Sequence, residues 1–384
     1  MKICFLVPRL TYGGSERQMV VLAKGLHARG HDVVVVGYYS GGPLQKDLRD
    51  AGIRIRSTNK CGRWDVRNFL FRLIKIMREE RPDILYCALT ELVAMILKRV
   101  FPRTKVVWTI RASNLDLRNY DWLTRVYFKL ECRLSRFADA IISNSHAGRD
   151  YHLALGYPAE RTVVIPNGID TEWFRPDLGA RHHVRSEWGI QDHEQVIGIV
   201  GRLDPVKDHP TFLHAASLLA LKRKHLRFVC MGEGPATYRE SLHQLTRSLK
   251  LTEHVIWLNG RSDMPNVYNA LDLLVSSSIS EGLSNVIAEA LACGIPCVVT
   301  NVGDSAWVVG SSGMIVPPKD PEVLADAMSR MVAAPKPDPT TIRRRILEHL
   351  SADALVIATE QALLRLCHQP TGTCVASREN TPVC

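Results

Sequence analysis

Two glutamates pose the first chemical question. In SISEGLSNVIAEALACGIPCVVT, residues 278–300, Glu281 stands beside a glycine and Glu289 follows eight positions later. Eight residues turn an α-helix through about 800°, which leaves two such carboxylates about 80° out of line. They are therefore not a shared-face pair on one helix. The serine-rich run before Glu281 and the helical period of NVIAEALAC place Glu281 in a strand-to-helix loop and Glu289 inside the helix, which Gly294 and Pro296 end. Between them the amides of Gly282, Leu283 and Ser284 point out of a helix start, where the dipole favours an anion. Two acceptors for sugar hydroxyls beside a donor nest for phosphate suit a nucleotide sugar.

Three further segments add to this chemistry. GRLDPVKDHPTF, residues 201–212, follows an apolar strand and carries Arg202 and Lys207, two fixed cations able to neutralise a diphosphate. PRLTYGGSERQMVV, residues 8–21, follows the first strand; Gly13 and Gly14 let backbone approach a ligand, and Ser15 reads as the cap of the next helix. This is neither the dinucleotide fingerprint nor a phosphate loop of the G-x-x-x-x-G-K type. MGEGP and LNGRSDMP end two more strands with glycines, which leaves room for a base and ribose.

The elements that must position these groups alternate along the chain. Apolar runs of strand length (KICFLV, DVVVVGYY, IRIRS, DILYCAL, KVVWTI, DAIISNS, TVVIPN) are separated by helix-period stretches. Strand, helix, strand at this spacing forces parallel pairing and an α/β, Rossmann-like sheet. The pattern breaks over residues 165–195, where turn formers and charges read as a linker. It then restarts with VIGIVGR, RFVCMGEG, VIWLNGR, DLLVSSS, PCVVT and GMIVPP. Two parallel-sheet domains facing across a cleft are expected.

Composition bounds the setting. At 384 residues with 46% hydrophobic content the chain is long enough for two cores. No run reaches the roughly 18 unbroken apolar residues of a membrane span, and MKICFLVPRL reads as a core strand rather than a signal peptide. Ten scattered cysteines without zinc or disulfide spacing fit a reducing cytoplasm. The net charge of +10 is uneven: residues 1–170 hold 28 Lys and Arg against 16 Asp and Glu, giving +12, and the rest give −2. In VRNFLFRLIKIMR, MILKRVFPRTK and RNYDWLTRVYFKLECRLSRF, cations interleave with large apolar residues. These clusters fit an anionic membrane surface as a partner and equally fit solvated helix faces whose aromatics point inward to the core. Nucleic acid is not expected, since no recognised binding module appears.

The joint occurrence, in order, of YGGSER, NGID, GRLDPVKD, GEGP, EGLSNVIAEA and GIPCVV over nearly the whole chain resembles the retaining family 4 glycosyltransferases of GT-B fold. The resemblance implies an acceptor-side domain over 1–170 and a nucleotide-sugar donor domain over 171–352. It also implies a helix at 353–368 crossing back to the first domain, ahead of a polar 369–384 tail. By that likeness Arg202 and Lys207 bind the donor phosphates, Glu289 the ribose hydroxyls and Arg261 with its neighbours the base. Glu281 holds the transferred sugar while Gly13 and Gly14 close on the diphosphate, with no metal or other cofactor bound. The implied activity moves a hexose-type sugar from a UDP or GDP donor to a glycan or lipid-linked acceptor, in cell-surface polysaccharide biosynthesis. One departure stands out. Where many relatives carry a histidine near the transferred sugar, this chain has Arg111 in VVWTIRASN. An arginine is always protonated and cannot act as a base; it can stabilise a leaving phosphate, whose own oxygen then takes the acceptor's proton. His146 in SNSHAGRDY reads as a capping or surface residue at a helix start. Two alternatives share the architecture. An epimerase acting on the nucleotide sugar needs acid, base and histidine groups not found here; an inactive nucleotide-sugar-binding homologue is kept open by the altered TIR strand, while the presence of both glutamates and both cations speaks against it.

Overall fold

Short apolar runs between helices dictate parallel sheets, because each crossover helix returns the chain to the same end of the sheet. The computed structural model describes residues 1–11, 13–62, 64–111, 122–335 and 337–368. The 369–384 tail and the 112–121 part of the basic clusters and of the Arg111 stretch lie outside the described residues.

In the first half, β1 (Lys2–Val7), β2 (Asp32–Gly37), β3 (Arg54–Ser57), β4 (Ile84–Cys87), β5 (Lys105–Ile110), β6 (Ala140–Ser143) and β7 (Thr162–Val164) form one sheet. Its order is β3-β2-β1-β4-β5-β6-β7. In the second half, β8 (Gln195–Val200), β9 (Leu226–Met231), β10 (Val255–Leu258), β11 (Leu273–Ser276), β12 (Cys297–Thr300) and β13 (Gly313–Val316) follow the order β10-β9-β8-β11-β12-β13. Both sheets are parallel throughout, as the alternation predicts. Strand order reverses between β1 and β4 and again between β8 and β11. Helices diverge to opposite faces at such switch points and open a crevice at the carboxyl ends.

Each sheet is buried on both faces, which is why its strands read as almost unbroken apolar runs. In β1, Ile3, Phe5 and Val7 pack against Met19, Leu22 and Leu26 of the Gly14–Ala28 helix. Cys4 and Leu6 face Phe69, Leu73 and Met77 of the Val66–Glu80 helix on the other side.

The region expected to be a linker holds a helix, Leu178–Glu187, capped by Asp177, whose side chain accepts from Ala180 N at 2.9 Å. Its strongly polar composition hides the period. What binds it are two arginines one turn apart, Arg181 and Arg185, which reach Asp272 of the second domain at 2.7 and 3.1 Å.

The chain passes between domains twice at one place. Ile169 N donates to Leu350 O at 2.7 Å, and Ala352 N donates to Ile169 O at 2.8 Å. The Ala352–His368 helix then lies on the first domain, where Leu355, Val356, Leu363 and Leu366 join the core of the Gly14–Ala28 helix. Glu360 fixes its outer side with an ion pair to Arg29 and a hydrogen-bond contact to His31 Nε2, each at 2.7 Å.

Gly25 marks the closest approach of these two helices. Alanine is favoured over glycine in a helix interior by about 1 kcal/mol, yet a Cβ here would lie 2.2 Å from Cγ2 of Val356. Overpacking costs about 1–3 kcal/mol and wins. Gly25→Ala is therefore expected to lower the thermal midpoint, and the Gly25→Ala/Val356→Ala pair to lose less than the two single losses summed. Strict additivity would show that the two helices do not meet there.

Candidate functional site

The second domain's switch point is bridged by charge. Lys207 ends the 3₁₀ turn Pro205–Lys207 after β8, capped by Asp204, which accepts from Val206 N at 2.9 Å. Lys207 Nζ makes an ion pair with Glu281 Oε1, and Ser278 Oγ donates to the same oxygen at 2.7 Å. The serines after β11 set this geometry. Ser277 Oγ donates to the carbonyls of Lys207 and Asp208 at 3.0 and 2.9 Å, while Ile279 N donates to Val206 O at 2.9 Å. Loops leaving two adjacent strands are thus stitched together, with their charged ends in the crevice. Gly303 completes the cradle: with φ +54°, its Cβ would stand 2.1 Å from Glu281 O. Only a glycine fits that turn, which also lets Asp304 N donate to Gly282 O at 2.9 Å.

Glu289 lies inside the Asn285–Ala292 helix and is buried. Tyr268 donates its hydroxyl to Oε2 at 2.7 Å, and Arg17 of the first domain stands 3.5 Å from Oε1. Burial pushes this carboxyl up; the Arg17 guanidinium and the Tyr268 hydroxyl pull it back without cancelling the rise. The helix start has Ser284 as N-cap with no side-chain bond and no acid in its first turn. Its amides are therefore placed to receive an anion.

Residues from four separate segments meet where the domains touch. Arg111 Nη1 donates to Asn167 Oδ1 at 2.8 Å, and Asn167 Nδ2 donates to Asn285 Oδ1 at 2.8 Å. A Cβ on Gly14 would lie 3.6 Å from Asn285 Nδ2, and one on Gly282 would lie 3.5 Å from Arg111 O. Nearby, Asp304 of the second domain accepts from His146 N at 2.7 Å and Ala147 N at 2.9 Å. Those amides open the His146–Ala154 helix, whose N-cap Ser145 already accepts from Gly148 N. The carboxylate therefore sits at the positive end of a helix in the other domain. The His146 ring is engaged too, with Nδ1 3.0 Å from Asp304 Oδ2 and its centroid 5.2 Å from that of Trp307.

The remaining candidates are placed differently. The Arg202 side chain is 80% exposed, with Asp204 at 3.9 Å. Arg261 makes two 2.8 Å bonds to Asp263 and one of 2.6 Å to Glu187, so its guanidinium is committed to carboxylates that raise its pKa further. Ser15 is not the cap of the first helix: Gly13 holds that position, and a Cβ there would meet Glu16 Oε2 at 2.1 Å. Sequence reasoning missed Arg17, Asn167, Tyr268, Asn285 and Asp304. Arg17, Asn167 and Asn285 lie in segments quoted for other reasons, whereas Tyr268 and Asp304 carry no local signal.

Two family profiles match the chain. One described as "Glycosyltransferase Family 4" covers residues 12–173, and one described as "Glycosyl transferases group 1" covers 194–334. Among curated proteins, the chain is similar to an Escherichia coli UDP-Gal:alpha-D-GlcNAc-diphosphoundecaprenol alpha-1,3-galactosyltransferase, at 25% identity over 68% of this chain and 69% of that one. A D-inositol 3-phosphate glycosyltransferase of Mycobacterium marinum is 35% identical over 46% of this chain and 38% of its own length. The chain spans about half the length of other relatives of that name. Among solved structures, Anabaena Alr3699/HepE in complex with UDP superposes with a TM-score of 0.82 at 22% identity, covering 95% of this chain and 100% of that one. TarM superposes with a TM-score of 0.75 at 14% identity over 96% and 99%. At those identities it is the two-domain GT-B fold that is shared.

Asp304→Ala removes the acceptor for two amides across the domain boundary. Losing such a cap costs about 0.5–2 kcal/mol. A fall in the thermal midpoint of that order is expected, with partial recovery in Asp304→Asn, whose amide oxygen still accepts. An unchanged midpoint in Asp304→Ala would show that the contact holds nothing.

Proposed function

We propose, from the premise that this chain belongs to glycosyltransferase family 4 and carries the GT-B fold, that it is a retaining transferase. It moves a hexose-type sugar from a UDP or GDP donor to a glycan or lipid-linked acceptor, in building cell-surface polysaccharide on the cytoplasmic face of the membrane. The observation that carries this reading is the Lys207–Glu281 pair held across the β8/β11 switch point, with an uncapped helix start directly after it. A diphosphate needs the cation and the amides, and a hexose needs the carboxylate. Relatives support the substrate classes: HepE was solved with UDP and with UDP-glucose, and the E. coli relative's name gives a lipid-diphosphate acceptor.

In this reading Lys207 and Arg202 grip the diphosphate from the second domain, while the amides of Gly282, Leu283 and Ser284 hold the phosphate and Gly13 and Gly14 close on it from the first. Glu289, backed by Tyr268, accepts the ribose hydroxyls; Arg261 and its neighbours border the base. Glu281 accepts from the hexose hydroxyls and fixes the ring at its reacting carbon. As the bond from the anomeric carbon to the phosphate oxygen breaks, Arg111 and Lys207 stabilise the negative charge that develops. The acceptor oxygen forms its bond on the same face, and its proton passes to the departing phosphate oxygen. These fixed cations do the work a metal would otherwise do, and no resident metal is invoked.

The membrane contact is assigned to the Trp122–Leu134 helix. Trp122, Val126 and Leu130 recur every fourth residue at 69%, 55% and 45% exposure, beside the exposed row Arg125, Lys129 and Arg133. A solvated helix face does not need that apolar stripe. Among the described residues no helix is long and apolar enough to cross a membrane.

Removing a preorganised charge partner from such a site costs about 10²–10³ in rate. Lys207→Ala and Arg202→Ala are each expected to lose that much kcat with the fold intact, and NMR of the product is expected to show the donor's anomeric configuration kept. Near-normal transfer by both variants, or an inverted product, overturns the assignment. For the surface, cosedimentation with anionic vesicles is expected at low salt and release at high salt, since each basic residue near the lipid contributes about 1 kcal/mol; no retention at low salt ends that part.

A further inference from the structure

A cavity of about 540 Å³ lies at the carboxyl ends of β4 and β5, beside the first sheet's own switch point. Two carboxyls line it and have no part in the chemistry above: Glu91, at the start of the Glu91–Val100 helix, and Glu131 of the Trp122–Leu134 helix. Glu91 is 3% exposed. Its Oε1 accepts from Leu89 N at 3.2 Å, and Leu89 takes a left-handed φ of +60° there, a turn that a leucine adopts only under constraint.

Burial drives both acids upward, Glu91 to about 8 with Glu131 adding to the rise, and Glu131 to about 7. Among the described residues, the groups around them do not offset this. Burial pushes the Tyr38, Tyr127 and Tyr157 hydroxyls and the Cys87 thiol up and the His152 ring down, so all five are uncharged near neutrality. Arg111 on the same wall is already bonded to Asn167. Trp108 also lines the wall; it is buried, and its indole N–H has no hydrogen-bond partner among the described residues. The cavity is thus an aromatic-walled pocket with hydroxyl acceptors at two points and an indole donor at a third. Ser15 and Arg111 join it to the cleft, since Ser15 follows Gly14 and the Arg111 carbonyl faces Gly282.

Resting on the transferase reading, we propose that this cavity seats the acceptor's terminal sugar as an uncharged ring, its hydroxyls donating to Glu91 and Glu131 and its C–H faces lying on the aromatic wall. The amphiphilic ring matches the wall, and buried acceptors of this kind discriminate strongly for a hydroxyl partner. A ring with its own carboxylate, or with a phosphate anywhere but at the carbon that leads out of the cavity to a carrier, would place a third acid beside the pair and is rejected. Hydroxyls donate best to ionised carboxylates, so seating the ring draws a proton off the pair. Affinity therefore rises as pH is raised through about 7 and about 8, the values at which the pair gives up its protons.

The test is ligand-observed NMR titration with four probes, glucose, N-acetylglucosamine, glucuronate and glucose 6-phosphate, in the presence of whichever of UDP and GDP raises the wild-type melting point. The neutral sugars are expected to bind with an affinity that climbs about tenfold from about pH 6 to about pH 9, and the two anions at least about tenfold more weakly. Glu131→Gln is expected to weaken the neutral sugars about 10- to 100-fold, the worth of one bond to a charged group, and to flatten the pH dependence while keeping the nucleotide's stabilisation. Should Glu131→Gln lose that stabilisation, Glu91→Gln carries the same comparison. Neutral sugars that fail to bind, bind no better than glucuronate, or bind both variants as they bind wild type, overturn this inference while the nucleotide result stands. A wild-type protein stabilised by neither nucleotide overturns the transferase reading beneath it.

Discussion

The bonds that tie Ile169 to Leu350 and Ala352 govern the architecture. They bring both passages of the chain between domains to a single edge, so the two lobes are joined on one side only. Because the strands in each lobe run parallel, all their carboxyl ends lie on one edge of each sheet. The loops that leave those edges are then the parts of the two lobes that meet. The polar contacts between the facing edges, Arg17 with Glu289, Asn167 with Asn285, and Asp304 with the His146–Ala154 helix, come from such loops or from the helices that follow them.

Charge in the crevice is satisfied internally before any substrate arrives. Lys207 answers Glu281 and Arg17 answers Glu289, and each pair combines one well-covered carboxylate with a more accessible cation. An uncompensated carboxylate in such a place would cost several kcal/mol, whereas exchanging one partner for another costs far less. On the proposed reading, the cations turn to an incoming diphosphate while sugar hydroxyls take their place on the carboxylates. Asp304 is different in kind. It is held by backbone amides as well as the His146 ring, and it fixes how the lobes face each other.

Much of this was legible in the sequence, and the limits have physical causes. Strands buried on both faces announce themselves as apolar runs, so the two sheets could be read. Glu281 and Glu289 could be separated into loop and helix because a glycine and a proline punctuate that stretch. The Leu178–Glu187 helix was hidden because arginines bonded to Asp272, rather than an apolar stripe, attach it. Tyr268 and Asp304 find their partners 21 and 158 positions away along the chain, a separation that leaves no mark on a local window. Arg261 was singled out through the family resemblance, which says nothing of Glu187, the residue that reaches it from the helix read as linker.

The helix over Ala352–His368 has a consequence for the order in which the protein can assemble. Leu355, Val356, Leu363 and Leu366 complete the oily interior of a lobe whose other strands and helices are encoded before residue 165. On the ribosome, that lobe waits with one flank uncovered while nearly two hundred further residues are synthesised. The second lobe, whose own interior needs nothing from the final segment, is free to close first, so the half made earlier is the half finished last.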